Sequence, residues 1–398
     1  MRASRESHSF VGFSLSSPPI LGSKSLIFVR QMAAQSLFNP LTFKRGPVLK
    51  NRILLAPLTN WQCHEDGTVS EHEIQWLTRC AAGGFAIVMT CAANVQSCGK
   101  AFPGKMGIYD DKHLPGLRRV AEVIKSHGAL SSVQLHHGGL RVDPRLAGGG
   151  TPVGPSDIPE MGVRGLSLAE VEALVGDFVM AAQRAKSAGF DGVEVHAAFG
   201  WILMQFISPL YNRRTDKYGG SLDNRSRLLF DVIRGIRAAC RPDFQIGLRI
   251  SLERYGMSLT EVQQIAARAM RQEDIDYLDL ALWDYTKVAQ EMPFTGRTLL
   301  SVFTELPRSA VRLGASGKIM SVQQGLDALK AGCDFVMLGK ATIIDTEFPH
   351  KAQENVQYSA PSLPVSKEYL EGQGLSDTFI AYLRTWQNFV SSVEPEIK

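Results

Sequence analysis

From Asn51 onward the chain alternates short apolar runs with longer stretches in which apolar positions recur every three or four residues, which reads as strand and helix in repetition. Eight apolar runs can be counted: Ile53 to Pro57, Phe85 to Thr90, Leu130 to Leu135, Gly192 to His196, Gln245 to Ile250, Tyr277 to Leu282, Ala310 to Leu313, and Phe335 to Gly339. The intervening helices carry readable starts. Ser167-Leu168-Ala169-Glu170 is a capping box, and Val171, Leu174, Val175, Phe178 and Val179 follow on one face. Strands alternating with helices make parallel βαβ units, and eight of them predict an α/β fold: a single closed (β/α)8 TIM barrel, because closing the sheet removes both edges. The seventh run is the weakest, being short and interrupted by Arg312. A doubly wound open sheet is the alternative, but no Gly-x-Gly-x-x-Gly follows the first run. The Gly- and Pro-rich insert from Arg141 to Leu166 reads as a loop or small hairpin capping the barrel mouth after strand three, and residues 368 to 390 as a helical C-terminal extension.

Composition narrows the function. With 398 residues and 44% apolar content the chain can bury one large core. Of the net charge of +4, most sits in residues 1 to 31, where Arg2, Arg5, Lys24 and Arg30 face only Glu6. The near-neutral body has no basic stripe, which sets nucleic-acid binding aside. Cys63, Cys80, Cys91, Cys98, Cys240 and Cys333 show no Cys-x-x-Cys spacing, so no metal or cluster is expected and reduced thiols are the simple reading. No apolar run reaches the roughly 18 residues a spanning helix needs, so no membrane partner is expected. Residues 1 to 33, Arg- and Ser-bearing and nearly acid-free up to Met32-Ala33, suit an organelle transit peptide or, equally, a disordered tail. They are excluded from the fold, leaving 34 to 398 as the barrel domain. The compartment expected is the cytoplasm, or a mitochondrion or plastid if the leader acts as one.

In such a barrel the C-terminal strand ends hold the site. The polar residues there are Thr59, Gln134, His196 and Arg249, with Gly-bearing turns at Ser316-Gly317 and Gly339-Lys340. Singly, each has an ordinary reading: a buried Gln satisfied by backbone, an interior Arg in an ion pair, a His satisfied by neighbours, plain Gly turns.

Together with the loop SPLYNRRTDKYGGSLDNRSR after strand four, these residues resemble the old yellow enzyme family, flavin-dependent ene-reductases fed by a nicotinamide. The resemblance spans roughly residues 36 to 390 and includes Ala56-Pro57-Leu58-Thr59, Val133-Gln134-Leu135-His136-His137-Gly138-Gly139 and Leu248-Arg249-Ile250. It implies non-covalently held FMN, with NAD(P)H as transient electron donor and a small-molecule electron acceptor. Pro57, Thr59, Cys91, Gln134 and Arg249 would contact the flavin ring. Gln134 would pair with its pyrimidine edge, and Arg249 would place positive charge where the reduced ring gathers negative charge. Ser316, Gly317, Gly339 and Lys340 would hold its phosphate, Lys340 keeping the charge of the family's Arg without its fork. A homo-oligomer is compatible with the chain.

Two positions depart from the family pattern. Where the family has His-x-x-His or His-x-x-Asn followed by Gly-Tyr, this chain has His196, Phe199 and Trp201. His196 alone can donate to a substrate oxygen; Trp201, in the place of the protonating tyrosine, has an indole N–H that is no practical acid. Tyr285 and His136 are the nearest replacements by strand position. Trp61, Phe199, Trp201 and Trp283 would line an aromatic mouth. The expected activity is an NAD(P)H oxidoreductase reducing activated alkenes, quinones or similar electrophiles. The competing expectation is a flavin-binding sensor or degenerate enzyme. A multidomain dienoyl-reductase would need a cysteine-ligated cluster that the spacing lacks.

Overall fold

The computed structural model describes residues 35 to 391 apart from 147 and 241, so the leader expected at residues 1 to 33 lies outside the described residues. Eight parallel strands run β1 (Ile53–Leu55), β2 (Ile87–Asn94), β3 (Leu130–His136), β4 (Gly192–Ala197), β5 (Gln245–Ile250), β6 (Tyr277–Ala281), β7 (Arg312–Ser316) and β8 (Phe335–Leu338). Their order is β1-β8-β7-β6-β5-β4-β3-β2, and the Ala86 N–H donates to Ile53 O at 3.0 Å where the two ends meet. The sheet therefore returns on itself as the barrel expected, not as an open sheet.

The helices outside it start on hydroxyl caps. Ser70 caps α1 (Glu71–Ala82), and Ser167 and Glu170 close a full capping box on α3 (Leu168–Ser187), after α2 (Leu114–Ser126). α4 (Arg227–Ala239) buries Leu228, Leu229, Val232, Ile233 and Ile236 against the sheet, the 3.6-residue spacing that the sequence shows.

Two strands differ from their apolar runs. β7 starts and ends later than Ala310 to Leu313 because it is built from Gly314, Ala315 and Ser316. A Cβ on Gly314 would stand 2.1 Å from the Phe335 ring, so the facing aromatic demands a residue with no hydrophobic signature. β2 continues four residues past Thr90 through an irregularity between Met89 and Ala92, which turns Cys91 out of the regular ladder. The insert contains a two-stranded ladder, Val153–Gly154 with Arg164–Gly165, and a small core of Leu140, Ile158 and Val163. The C-terminal extension is two short helices, Lys367–Gly372 and Asp377–Leu383.

The barrel has a dry end and a polar end. Phe43, Tyr277 and Phe335 pack together at ring-centroid distances of 5.1 to 5.9 Å and plug the bottom. Strand register then carries Gln134 beside Glu194, and sets His196, Arg249 and Asp279 in line on three neighbouring strands one layer higher. Among the described residues no helix is long and apolar enough to cross a membrane.

Candidate active site

Arg249, buried, is the hub of the upper layer. Its Nε stands 3.1 Å from Asp279 Oδ2, a charge contact without aligned hydrogen-bond geometry, and its Nη2 donates to Ser316 Oγ at 3.1 Å. Gln134 Nε2 donates to Glu194 Oε1 at 2.8 Å. Two buried carboxyls thus share one guanidinium. Burial and the nearby Asp279 raise the Glu194 pKa above the usual carboxylate range, and burial raises Asp279 against the pull of Arg249. Glu194 and Asp279 had a visible signal, an acid inside an apolar run, but only register shows that they brace the two residues expected on the flavin.

A cleft of about 570 Å³ opens over this layer, within the size range of cofactor pockets. It is lined by Pro57, Arg249, Ser316, Gly317, Gly339 and Lys340, six of the expected cofactor residues, and by Phe199. Gly317 sits at φ +132°, where a Cβ would stand 2.7 Å from Leu282 O; the turn after β7 is open to a ligand because nothing larger fits. Lys340 lies over the Trp386 ring at 5.6 Å. Thr59 and Cys91 lie beside the cleft in a narrow crevice with Trp61, Phe102 and Lys105. A larger opening of about 720 Å³ at the other end of the barrel holds none of these residues, and its Lys125 is already paired with Asp191 at 3.3 Å.

Ring contacts form an arc from the crevice at Phe102 to the cleft at Phe199 and Trp283. Phe102, Trp201, His136, His196, Phe199 and Trp283 follow one another at centroid distances of 5.4, 4.6, 5.5, 5.9 and 5.7 Å. Trp201 is fixed further by Arg141, stacked on it at 4.2 Å. Phe199 holds a left-handed φ of 55°, pinned by its N–H to Ser251 Oγ at 2.8 Å and by Arg141 on its carbonyl. Trp61 is not in this arc; it packs on Tyr382 of the C-terminal extension at 4.7 Å. Tyr285 is likewise apart, its N–H on Gly317 O at 3.2 Å and its ring near Asp327, outside the cleft lining.

His196 is buried, with Nδ1 unpartnered. Burial, then Arg249 and Lys105, hold its pKa well below the usual imidazole value, so it is a neutral donor. His136 and His137 are lowered in the same way, His137 to about 3. A folded pKa below the unfolded value of 6.5 gives stability that is complete above pH 6.5 and is lost as pH falls towards 3. His137→Gln, which keeps an acceptor for the Gly139 N–H now 3.0 Å from Nδ1, should therefore lose less stability than the wild type between pH 6.5 and 5.5, by about 1 kcal/mol in urea unfolding.

Cys63, Glu73 and Cys91, far apart in sequence, bring their ligand-type atoms within 4.8 Å of one another, a grouping the spacing did not reveal. Contact with Cys91 and burial raise the Cys63 thiol. At Cys91 the Cys63 contact pulls down, and burial and Glu73 outweigh it. Both therefore remain thiols near neutral pH. Lys105, Arg141, Glu194 and Asp279 are the site residues missed in the sequence; Lys105 comes from the turn-rich segment GKAFPGKMG, where no periodicity marks it.

A (β/α)8 barrel with a buried cation and two glycine turns round one cleft, and a buried glutamine one layer below, defines a flavin-oxidoreductase type of site. Residues 36–359 match the model of the NADH:flavin oxidoreductase / NADH oxidase family, and the chain belongs to that family. It is 36% identical over 328 residues to the probable NADH-dependent flavin oxidoreductase YqiG of Bacillus subtilis (strain 168), covering 80% of this chain and 88% of that one. With the NADPH dehydrogenase of Geobacillus sp. (strain WCH70) it shares 32% identity over 84% of this chain and 98% of the relative. The solved old yellow enzyme homologue from Zymomonas mobilis superposes with a TM-score of 0.73 at 26% identity, covering 86% of this chain and 99% of that one. The protein is an NADH/NADPH:flavin oxidoreductase of old yellow enzyme type.

Proposed function

We propose that the enzyme holds FMN without a covalent bond, takes electrons from NAD(P)H and reduces a small electrophilic acceptor: an activated alkene, a quinone or a related compound. The observation that carries this reading is the buried neighbouring pair His196 and Arg249, set beside a cleft that runs to Ser316 and Gly339. The residues present fit the group. Arg249 offers fixed charge, Gln134 an amide, and the turns at Gly317 and Gly339 leave room for backbone approach to a phosphate, with Lys340 supplying charge. When bound, FMN supplies hydride transfer in both half-reactions.

The chain's own residues do the rest. His196 donates to the acceptor's carbonyl or nitro oxygen and stabilises the charge that develops there. The arc from Phe102 to Trp283 excludes water and selects flat or apolar acceptors. Phe199 adds no donor and Trp201 no acid, which favours quinones and nitro compounds, whose oxygens take protons from solvent. The same two residues are what supports a second reading, a flavin sensor that does not turn over.

The purified protein should be yellow, release all its colour on denaturation, and bleach anaerobically with NADH or NADPH. Menadione and cyclohexenone should each restore the colour in stoichiometric reduction. Recovery with oxygen alone would replace this reading with the sensor, and a colourless protein after reconstitution would end both.

A further inference from the structure

On the Trp201 side of the mouth, buried groups remain that the reading above does not use. Lys105 is buried, its Nζ lies against His136 Nδ1, and among the described residues it has no carboxylate partner. His136 is also buried. Its ring stands 4.6 Å from Trp201 and 5.5 Å from His196, and its Nε2 has no partner. The pair therefore sits next to the side chain that occupies the tyrosine's place.

Donor and acceptor rules fix the proton. With Lys105 as the ammonium, which can only donate, His136 Nδ1 accepts, and a neutral imidazole whose Nδ1 accepts carries its hydrogen on Nε2. If the shared proton crosses to Nδ1, Nε2 keeps its own. In both of these singly charged forms of the couple the unpartnered nitrogen bears a hydrogen, and a buried N–H without an acceptor is a cost that an incoming group recovers.

We propose that Lys105 and His136 form the proton-delivery couple that replaces the missing tyrosine. The inference rests on the ene-reductase reading. As the substrate's β-carbon receives hydride, the C=C π pair becomes a lone pair at the α-carbon. His136 Nε2–H passes its proton there while Nδ1 takes a proton from the Lys105 ammonium, leaving an Nδ1–H imidazole beside a neutral amine; the amine then takes the Nδ1 proton back as water protonates Nε2, which restores the couple. Two C–H bonds form, while the π bond, the hydride donor's bond to hydrogen and the His136 Nε2–H break. His136 is the catalytic residue and Lys105 acts through it.

The surroundings suit the task. Burial pulls the Lys105 ammonium well below its ordinary pKa, with only Cys91 opposing, and burial, Lys105, His196, His137 and Arg141 all lower His136. Both members are weakened bases, which give up a proton more readily than their free counterparts.

The test is single-turnover reoxidation of the reduced holoenzyme by cyclohexenone and by menadione. Lys105→Met and His136→Phe should slow the alkene reaction by about 10² to 10⁴ fold, and Lys105→Met should leave menadione within about threefold, since only carbon needs a positioned acid. Lys105→Arg, which keeps charge but cannot release a proton, should be as slow as Lys105→Met. The wild-type alkene rate should fall on an alkaline limb below the ordinary lysine range, and this limb should be absent in Lys105→Met. Independently of turnover, 15N spectra assigned with His136→Phe should show the Nε2–H tautomer. An Nδ1–H tautomer, full activity in Lys105→Arg, or equal slowing of both acceptors would overturn the couple. A wild type that reduces menadione but no alkene would overturn the ene-reductase reading and the couple with it.

Discussion

Arg249→Lys should give a folded protein that binds FMN about 10- to 100-fold more weakly, the loss of one charge-assisted hydrogen bond of about 1.5 to 3 kcal/mol. Arg249→Met should lose the cofactor and much of its stability together. The difference follows from the neighbours. Asp279 lies 3.1 Å from the guanidinium, so removing the cation leaves its buried carboxylate with no counter-ion, a penalty of about 3 to 5 kcal/mol. Lysine keeps the charge and gives up the fork that reaches Asp279 and Ser316 at once. Fluorescence-quenching titration of the apoprotein with FMN separates the affinity from urea midpoints that report the fold. Undiminished FMN affinity in Arg249→Met would remove Arg249 from the cofactor site.

That hub was only half legible in the sequence. Arg249 and Gln134 stand at the ends of apolar runs, where a barrel displays its functional groups, and the capping box at Ser167 announced the helix leading into β4. Glu194 and Asp279 were equally printed in their runs, but their meaning depends on register between strands far apart in sequence, which local pattern does not carry. β7 was misplaced for a related reason: Gly314 serves the ring of Phe335 on the next strand, so its small size is a tertiary demand. Lys105 and Trp61 belong to segments without periodicity. The first is placed by the turns after β2, and the second is held by Tyr382 more than three hundred residues later. Tyr285, singled out by strand position alone, is off the cleft lining although Trp283 and Asp284 just before it belong to that lining, and its own N–H bonds to Gly317 O.

The other large effect should come from His196→Phe, expected to cut kcat/KM for cyclohexenone by about 10² to 10³ fold, the usual result of deleting one donor to a developing oxyanion. The position three residues on supplies no second donor, because it is Phe199, whose ring lies under Arg249 at 5.5 Å and whose hydrogen bonds to Ser251 and Arg141 come from its backbone. The fold should not suffer. His196 Nδ1 is buried without a partner, and replacing an unsatisfied polar ring by an apolar one in the same aromatic arc is close to neutral or mildly stabilising. Activity and stability should thus move in opposite directions, which a residue held only for packing would not do. The measurement is steady-state kinetics beside thermal unfolding of the same preparation. A variant that is destabilised yet keeps its alkene activity would make His196 a packing residue and remove it as the donor to the acceptor's oxygen.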